Sequence, residues 1–133
     1  MDDARRLNSE LAESGRRLRR HIPDVYTAYA ELHRATLSDG ALDAKTKELI
    51  ALAIAITREC DGCIASHARG AVRHGATEQE VAETIGVTIL MNGGPGTVFG
   101  PRAFDAFHDF ADHTPGNAGA PASGGASTGP AAS

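Results

Sequence analysis

The 133-residue chain has no tryptophan, and aromatic residues make up only 5% of it. Nucleic-acid bases would find few flat side chains to stack on. An excess of basic charge is also missing: 13 Lys+Arg stand against 17 Asp+Glu, for a formal net charge of -4. A chain of this charge has no overall attraction for a phosphate backbone, so nucleic acid is not an expected partner. No apolar stretch approaches the ~20 residues a bilayer-spanning helix needs. The longest run, Leu49 to Ile56, suits a buried helix, and no membrane partner is expected. The opening segment Met1-Asp2-Asp3-Ala4-Arg5-Arg6 lacks the apolar core of a secretory leader. The expected location is therefore cytoplasmic, where glutathione and thioredoxin keep thiols reduced. In that compartment two close cysteines more often signal metal binding or catalysis than a structural staple.

Charge and large apolar side chains are absent from Pro115 to Ser133, which is built of Pro, Gly, Ala, Ser, Thr and one Asn. Such a segment cannot bury enough surface to offset its ordering entropy, so residues 115–133 are expected to be a disordered tail. Residues 1–114 then form one folded domain, with no convincing strand. The patterning predicts an all-α fold, a compact antiparallel bundle of five to six helices.

The first helix, about Asp3 to Arg20, carries a thin stripe of Leu7, Leu11 and Leu18. Pro23 opens a second with Val25, Tyr29, Leu32 and Thr36 on one side, closed by Ser38-Asp39-Gly40. Asp43 is the expected N-cap of a third, Ala44 to about Thr57, whose all-round apolar run predicts a central position. The fourth begins near Cys60 or Asp61 and stops at His74-Gly75. Thr77-Glu78-Gln79-Glu80 has the form of a capping box that opens a fifth, through about Met91. Asn92-Gly93-Gly94-Pro95-Gly96 reads as a break. A final helix, from Thr97 or only after Pro101, presents Phe104, Phe107 and Phe110 to a core.

The chemistry is concentrated in Cys60-Asp61-Gly62-Cys63-Ile64-Ala65-Ser66-His67. On a helix, positions i, i+3 and i+7 share a face, so both sulfurs and the imidazole can meet. The pair begins a helix, where unpaired N–H groups and the dipole favour a thiolate. The helix start favours Cys60 as the more acidic thiol, whereas His67, one turn beyond Cys63 and placed as a general base, favours Cys63. Periodicity leaves the choice open. Glu48 shares a helix face with Leu52 and Ala55 and either points inward, needing a partner such as a histidine, or is a solvated first-turn residue.

Other uses of two cysteines fit less well. A zinc site made of Cys60, Cys63 and His67 lacks a fourth ligand, with no second CxxC and no paired histidine. A c-type haem needs histidine directly after the second cysteine, where Ile64 stands. A thioredoxin fold needs strands around the motif. Two inert buried thiols are the remaining bland reading. No metal and no cofactor is expected.

The pattern Leu42 to Ala53 with Glu48 inside it, then Cys60-x-x-Cys63-x-x-x-His67, then Gly75-Ala76-Thr77-x-x-Glu80, resembles the carboxymuconolactone decarboxylase superfamily. Within that superfamily the dithiol resembles the AhpD-like alkylhydroperoxidase branch, over about Pro23 to Phe110. The resemblance implies an all-α fold whose subunits assemble as homo-trimers or homo-hexamers. It implies that Cys63 attacks a hydroperoxide, that Cys60 resolves the product as a disulfide, and that His67 and Glu48 relay the proton. An external dithiol, lipoyl or thioredoxin-like, then restores the thiols. The chain departs from well-studied members in carrying Gly62, where an aromatic residue can stand, and a smaller residue there is expected either to widen access or to loosen the helix start. It is also shorter than the duplicated enzymes, so one repeat would form one subunit.

The alternatives to a peroxide reductase are a carboxymuconolactone decarboxylase-type enzyme, whose relatives generally lack the dithiol, and a non-enzymatic redox sensor or disulfide-exchange module. The basic cluster Arg16-Arg17-Leu18-Arg19-Arg20-His21 is read as a solvated or inter-subunit helix face, with Asp2, Asp3, Glu10 and Glu13 as candidate ion-pair partners. His33 and His108 have no companions in sequence and receive no role.

Overall fold

The computed structural model describes residue 1 and residues 3–116. The predicted tail lies almost wholly outside these residues. Among the described residues there are six helices and no strand: α1 (Ala4–Arg19), α2 (Pro23–Leu37), α3 (Ala44–Thr57), α4 (Asp61–Arg73), α5 (Glu78–Asn92) and α6 (Gly94–Asp112). None of them is long and apolar enough to cross a membrane.

Local chemistry sets most of the boundaries. The Asp43 side chain accepts from the Thr46 N–H at 2.7 Å and starts α3. Thr77 and Glu80 form the expected reciprocal cap of α5, at 3.1 and 2.9 Å. Lys45 reaches Glu80 at 2.9 Å, tying α3 to α5 and holding the Glu80 carboxyl below its ordinary range.

The same turn closes α3 and α4. After α4, Gly75 (φ +77°) donates to the Val72 carbonyl at 3.1 Å and Ala76 donates to Ala71 at 2.9 Å. After α3, Glu59 (φ +55°) donates to Ile56 and Cys60 to Ala55, both at 3.1 Å. This doubly bonded left-handed closure normally uses glycine, because a Cβ disfavours positive φ. Here a glutamate occupies it, and the next residue is Cys60.

The core is small-residue rich. Leu52, Ala55 and Ile56 of α3 meet Ile64, Ala65, Ala68 and Ala71 of α4, Val81 and Ile85 of α5, and Ala103, Ala106, Phe107 and Phe110 of α6. Alanines on facing helices allow close approach, while full burial of side chains such as Leu52 or Ile64 stabilises by ~1.5–3 kcal/mol each. Phe107 and Phe110 are buried as expected, with Phe104 partly so.

The predicted break at 92–96 is present but confined to one residue: α5 runs through Asn92, α6 opens at Gly94, and Gly93 (φ +66°) alone separates them. Pro95 sits in the first turn, where no N–H is required, and Pro101 lies inside the helix. The glycines form a contact surface. A Cβ at Gly96 would stand 3.0 Å from the Ile89 Cα and the Thr88 carbonyl oxygen, and one at Gly100 would stand 2.6 Å from the Ile85 Cγ2.

The stripe on α2 is not buried by this chain: Val25, Tyr29 and Leu32 are 60–66% exposed and α2 has no buried residue. Central α3, packed against α2, α4, α5 and α6, likewise turns Ile50 and Ile54 outward. On α1, Arg17 pairs with Glu13 at 3.6 Å and Arg6 with Asp3 and Glu10 at 3.2 and 3.6 Å; the basic cluster is exposed.

Arg5 docks α1 on α6, its backbone N–H and Nε reaching Asp109 at 2.9 and 3.1 Å. Burial opposes ionisation of Asp109, but the Arg5 N–H and guanidinium outweigh it and hold the carboxyl below its ordinary 3.8. A depressed carboxylate stabilises the fold above its unfolded pKa and ceases to do so as pH falls through its folded one. Asp109→Asn should therefore cost ~1–2 kcal/mol at pH 7 in denaturant melts, with the difference from the parent chain shrinking as pH falls below about 4. Glu59→Gly should raise stability by ~0.5–1 kcal/mol, because relief of the positive φ exceeds the added chain entropy; a lower melting midpoint would contradict this reading of the turn.

Candidate functional site

The tight α3–α4 turn delivers Cys60 as the N-cap of α4, with Asp61, Gly62 and Cys63 in the first turn. Cys60 and Cys63 are joined by a disulfide, with Cα atoms 5.2 Å apart. The Cys60 Sγ also accepts from the Cys63 N–H at 3.3 Å, the place a capping oxygen ordinarily takes. Cys63 is exposed and Cys60 half-buried, so Cys63 is the sulfur open to reagents from solvent. His67 follows one turn later on the same helix, partly buried.

Glu48 points inward. It is 5% exposed, and its Oε2 lies 2.8 Å from the His67 Nδ1. A carboxylate only accepts, so the His67 Nδ1 is the donor to Glu48, and in the neutral ring Nε2 is then the acceptor. The structure thus joins Cys60 to Cys63 at the start of α4, and joins Glu48 of α3 to His67 one turn further along α4. Among the described residues no group of three or more His, Cys, Asp or Glu side chains is arranged to hold a metal ion.

Three contributors carry weak sequence signals or none. Gly70 is buried, and a Cβ there would overlap the Glu48 carboxylate carbon and both its oxygens. An isolated glycine inside a helical pattern was the available signal. Arg102 of α6 clasps Asp61 through two bonds, 2.7 and 3.3 Å, fixing the start of α4 and offsetting a negative charge set between the two cysteines. His33 of α2 stacks on His67, ring centres 6.3 Å apart and planes 12° apart; nothing in the linear sequence pairs them. The space over Gly62 is taken by Leu11 of α1. A Cβ there would stand 2.7 Å from the Leu11 Cδ1, because α1 lays that leucine over the dithiol turn.

The sequence signature of the carboxymuconolactone decarboxylase family matches residues 23–108. An uncharacterized protein of Cupriavidus necator is 37% identical over 108 residues, covering 77% of this chain and 96% of its own length. An uncharacterized protein of Haemophilus influenzae is 39% identical over 105 residues, covering 79% and 93% respectively. The apo crystal structure of a carboxymuconolactone decarboxylase family protein from Legionella pneumophila superposes with a TM-score of 0.79 at 36% identity, covering 83% of this chain and 98% of that one.

Gly70→Ala tests the site's construction. Alanine favours a helix, yet the collision with Glu48 should produce a net loss of ~1–3 kcal/mol. Nitrogen-15 NMR should show His67 passing from a fixed Nδ1–H tautomer to a mixture; an unchanged tautomer would mean that Glu48 does not need the space over Gly70.

Proposed function

The chain belongs to the carboxymuconolactone decarboxylase family, and on that footing we propose that it is an AhpD-like alkylhydroperoxidase, a thiol-dependent peroxide reductase of the cytoplasm. The observation that carries this reading is the Glu48–His67 bond of 2.8 Å, one helical turn from an exposed cysteine that pairs with a second. A carboxylate that fixes the tautomer of a histidine beside a thiol is the arrangement that makes a thiolate at neutral pH.

In the reduced protein His67 takes the Cys63 proton on Nε2, with Glu48 balancing the imidazolium. The Cys63 thiolate attacks the terminal peroxide oxygen and the O–O bond breaks. Sulfur is oxidised to Cys63–SOH, and the leaving alkoxide takes the proton from His67 to depart as an alcohol. The Cys60 thiol then attacks the Cys63 sulfur; the S–S bond forms, and hydroxide leaves with the Cys60 proton as water. An external dithiol, lipoyl or thioredoxin-like, returns two electrons by exchange and is itself oxidised to a disulfide. Exposure supports Cys63 as the sulfur that meets both peroxide and reductant, and the half-buried Cys60 suits the resolving role.

The working assembly in this reading is a homo-trimer or homo-hexamer. The apolar faces left open on α2 and α3, with Val25, Tyr29, Leu32, Ile50 and Ile54, support it.

The test is peroxide consumption with lipoyl and thioredoxin reductants run in parallel. Cys63→Ser should abolish turnover, and retained activity would sink the assignment. His67→Ala should lower the rate ~10²–10⁴-fold, most strongly at low pH where thiolate is scarce. A slow, single oxidation without cycling would instead mark a redox sensor.

A further inference from the structure

Beside the Glu48–His67 pair lies a cleft of about 390 Å³ between the C-terminal half of α2 and the exposed side of α4. It is a gap between helices, since α2 and α4 do not pack on one another among the described residues. Its charge is opposite to that of the chain. In a protein of formal net charge -4, the cleft is lined by three arginines, Arg34, Arg69 and Arg73. Its lining contains one carboxylate, that of Glu48, already engaged by His67 at 2.8 Å. Among the described residues Arg69 and Arg73 have no ion-pair or hydrogen-bond partner. Arg34 pairs with Glu31 at 2.8 Å, but both side chains are largely exposed, a pairing of little worth that exchanges readily.

The cleft and the dithiol share one helix, α4. Cys63, Ser66, Gly70 and Arg73 follow one another at i, i+3, i+7 and i+10, a single face of the helix. Ser66 is exposed on that face and offers a hydroxyl midway. At 1.5 Å of rise per residue, Arg69 lies about 9 Å and Arg73 about 15 Å along the axis from Cys63. His33, stacked on His67, forms the opposite wall. A molecule reacting at Cys63 can therefore extend past His67 and end among unpaired guanidinium groups, whose planar forks match a carboxylate.

We propose that this cleft is an anion subsite, and that the hydroperoxide reduced at Cys63 bears a carboxylate at the end of a medium-length chain, held by Arg69 and Arg73. The identity of the reacting group rests on the peroxidase reading; the anion site does not.

The binding arm uses the full chain in its disulfide form, which cannot react, with octanoate as the probe and octanol as its uncharged counterpart. Calorimetry should show octanoate binding at least tenfold tighter than octanol. In Arg69→Gln/Arg73→Gln that affinity should fall at least tenfold, in Arg69→Lys/Arg73→Lys, which keeps the charge and loses the fork, it should fall by less than in the glutamine pair, and in the α1 control Arg16→Gln it should not change. Octanoate binding that is absent, matched by octanol, or indifferent to the glutamine pair overturns the subsite.

The turnover arm compares linoleic acid hydroperoxide with neutral tert-butyl hydroperoxide, using dithiothreitol as reductant. The glutamine pair should raise KM for the acid at least fivefold and leave tert-butyl hydroperoxide within twofold. Arginine-dependent octanoate binding without consumption of either peroxide upholds the subsite and removes the peroxidase reading. Equal turnover of both peroxides by parent and variant does the reverse. A raised KM for reduced thioredoxin, with no octanoate binding, assigns the cleft to an acidic protein surface and overturns the small-molecule subsite.

Discussion

The bond between Glu48 and His67 is the constraint around which the rest of the molecule is arranged. A carboxylate exposed by only 5% must be hydrogen-bonded or it opposes folding by several kcal/mol. The chain meets this need with a single histidine at 2.8 Å. Each neighbour then has a reason. Gly70 lacks a side chain because the carboxylate fills that space. Helices α3 and α4 approach closely because Ala55, Ala65 and Ala68 line their seam. The histidine that satisfies Glu48 is thereby fixed in orientation one turn from Cys63, so one interaction shapes both the fold and the surroundings of the dithiol.

The second constraint is the short connection that carries the dithiol. Three residues, Arg58, Glu59 and Cys60, turn the chain from α3 into α4. The turn requires positive φ at Glu59, a conformation that disfavours any residue with a Cβ. Its gain is position: the helix dipole and the first-turn N–H groups are directed at the two sulfurs. Around this turn stand Leu11 over Gly62 and Arg102 on Asp61, from α1 and α6. The dithiol is thus held by four of the six helices, although its six-residue neighbourhood looks self-contained in the sequence.

The outer surface follows a different logic. Side chains of α2 and α3 that have helical apolar periodicity face outward, as Tyr29, Leu32 and Ile54 do. Periodicity records that a face is to be covered, and says nothing of whether the cover comes from the same chain. The α2–α4 cleft is the polar counterpart, lined by Arg69 and Arg73, which have no acidic partner among the described residues.

By itself the sequence determined what depends on near neighbours. The capping residues Asp43 and Thr77, the helix-closing Gly75 and the i, i+3, i+7 spacing of Cys60, Cys63 and His67 act within one or two turns, so helix identity and the sharing of a face are readable from spacing. The final helix was misread because glycine and proline at 93–96 carry local break signals, whereas in the fold Gly96 and Gly100 serve the crossing of α5 and α6. Tertiary structure alone decided the rest. Periodicity left the direction of Glu48 evenly divided between core and solvent, and the packing of α4 on α3 settled it by bringing His67 within a hydrogen bond. Gly70, His33 and Arg102 act on partners 22 to 41 residues away, across helices with no fixed spacing. Interactions of that kind depend on how rigid helices stack, and no local pattern in a single sequence encodes the stacking.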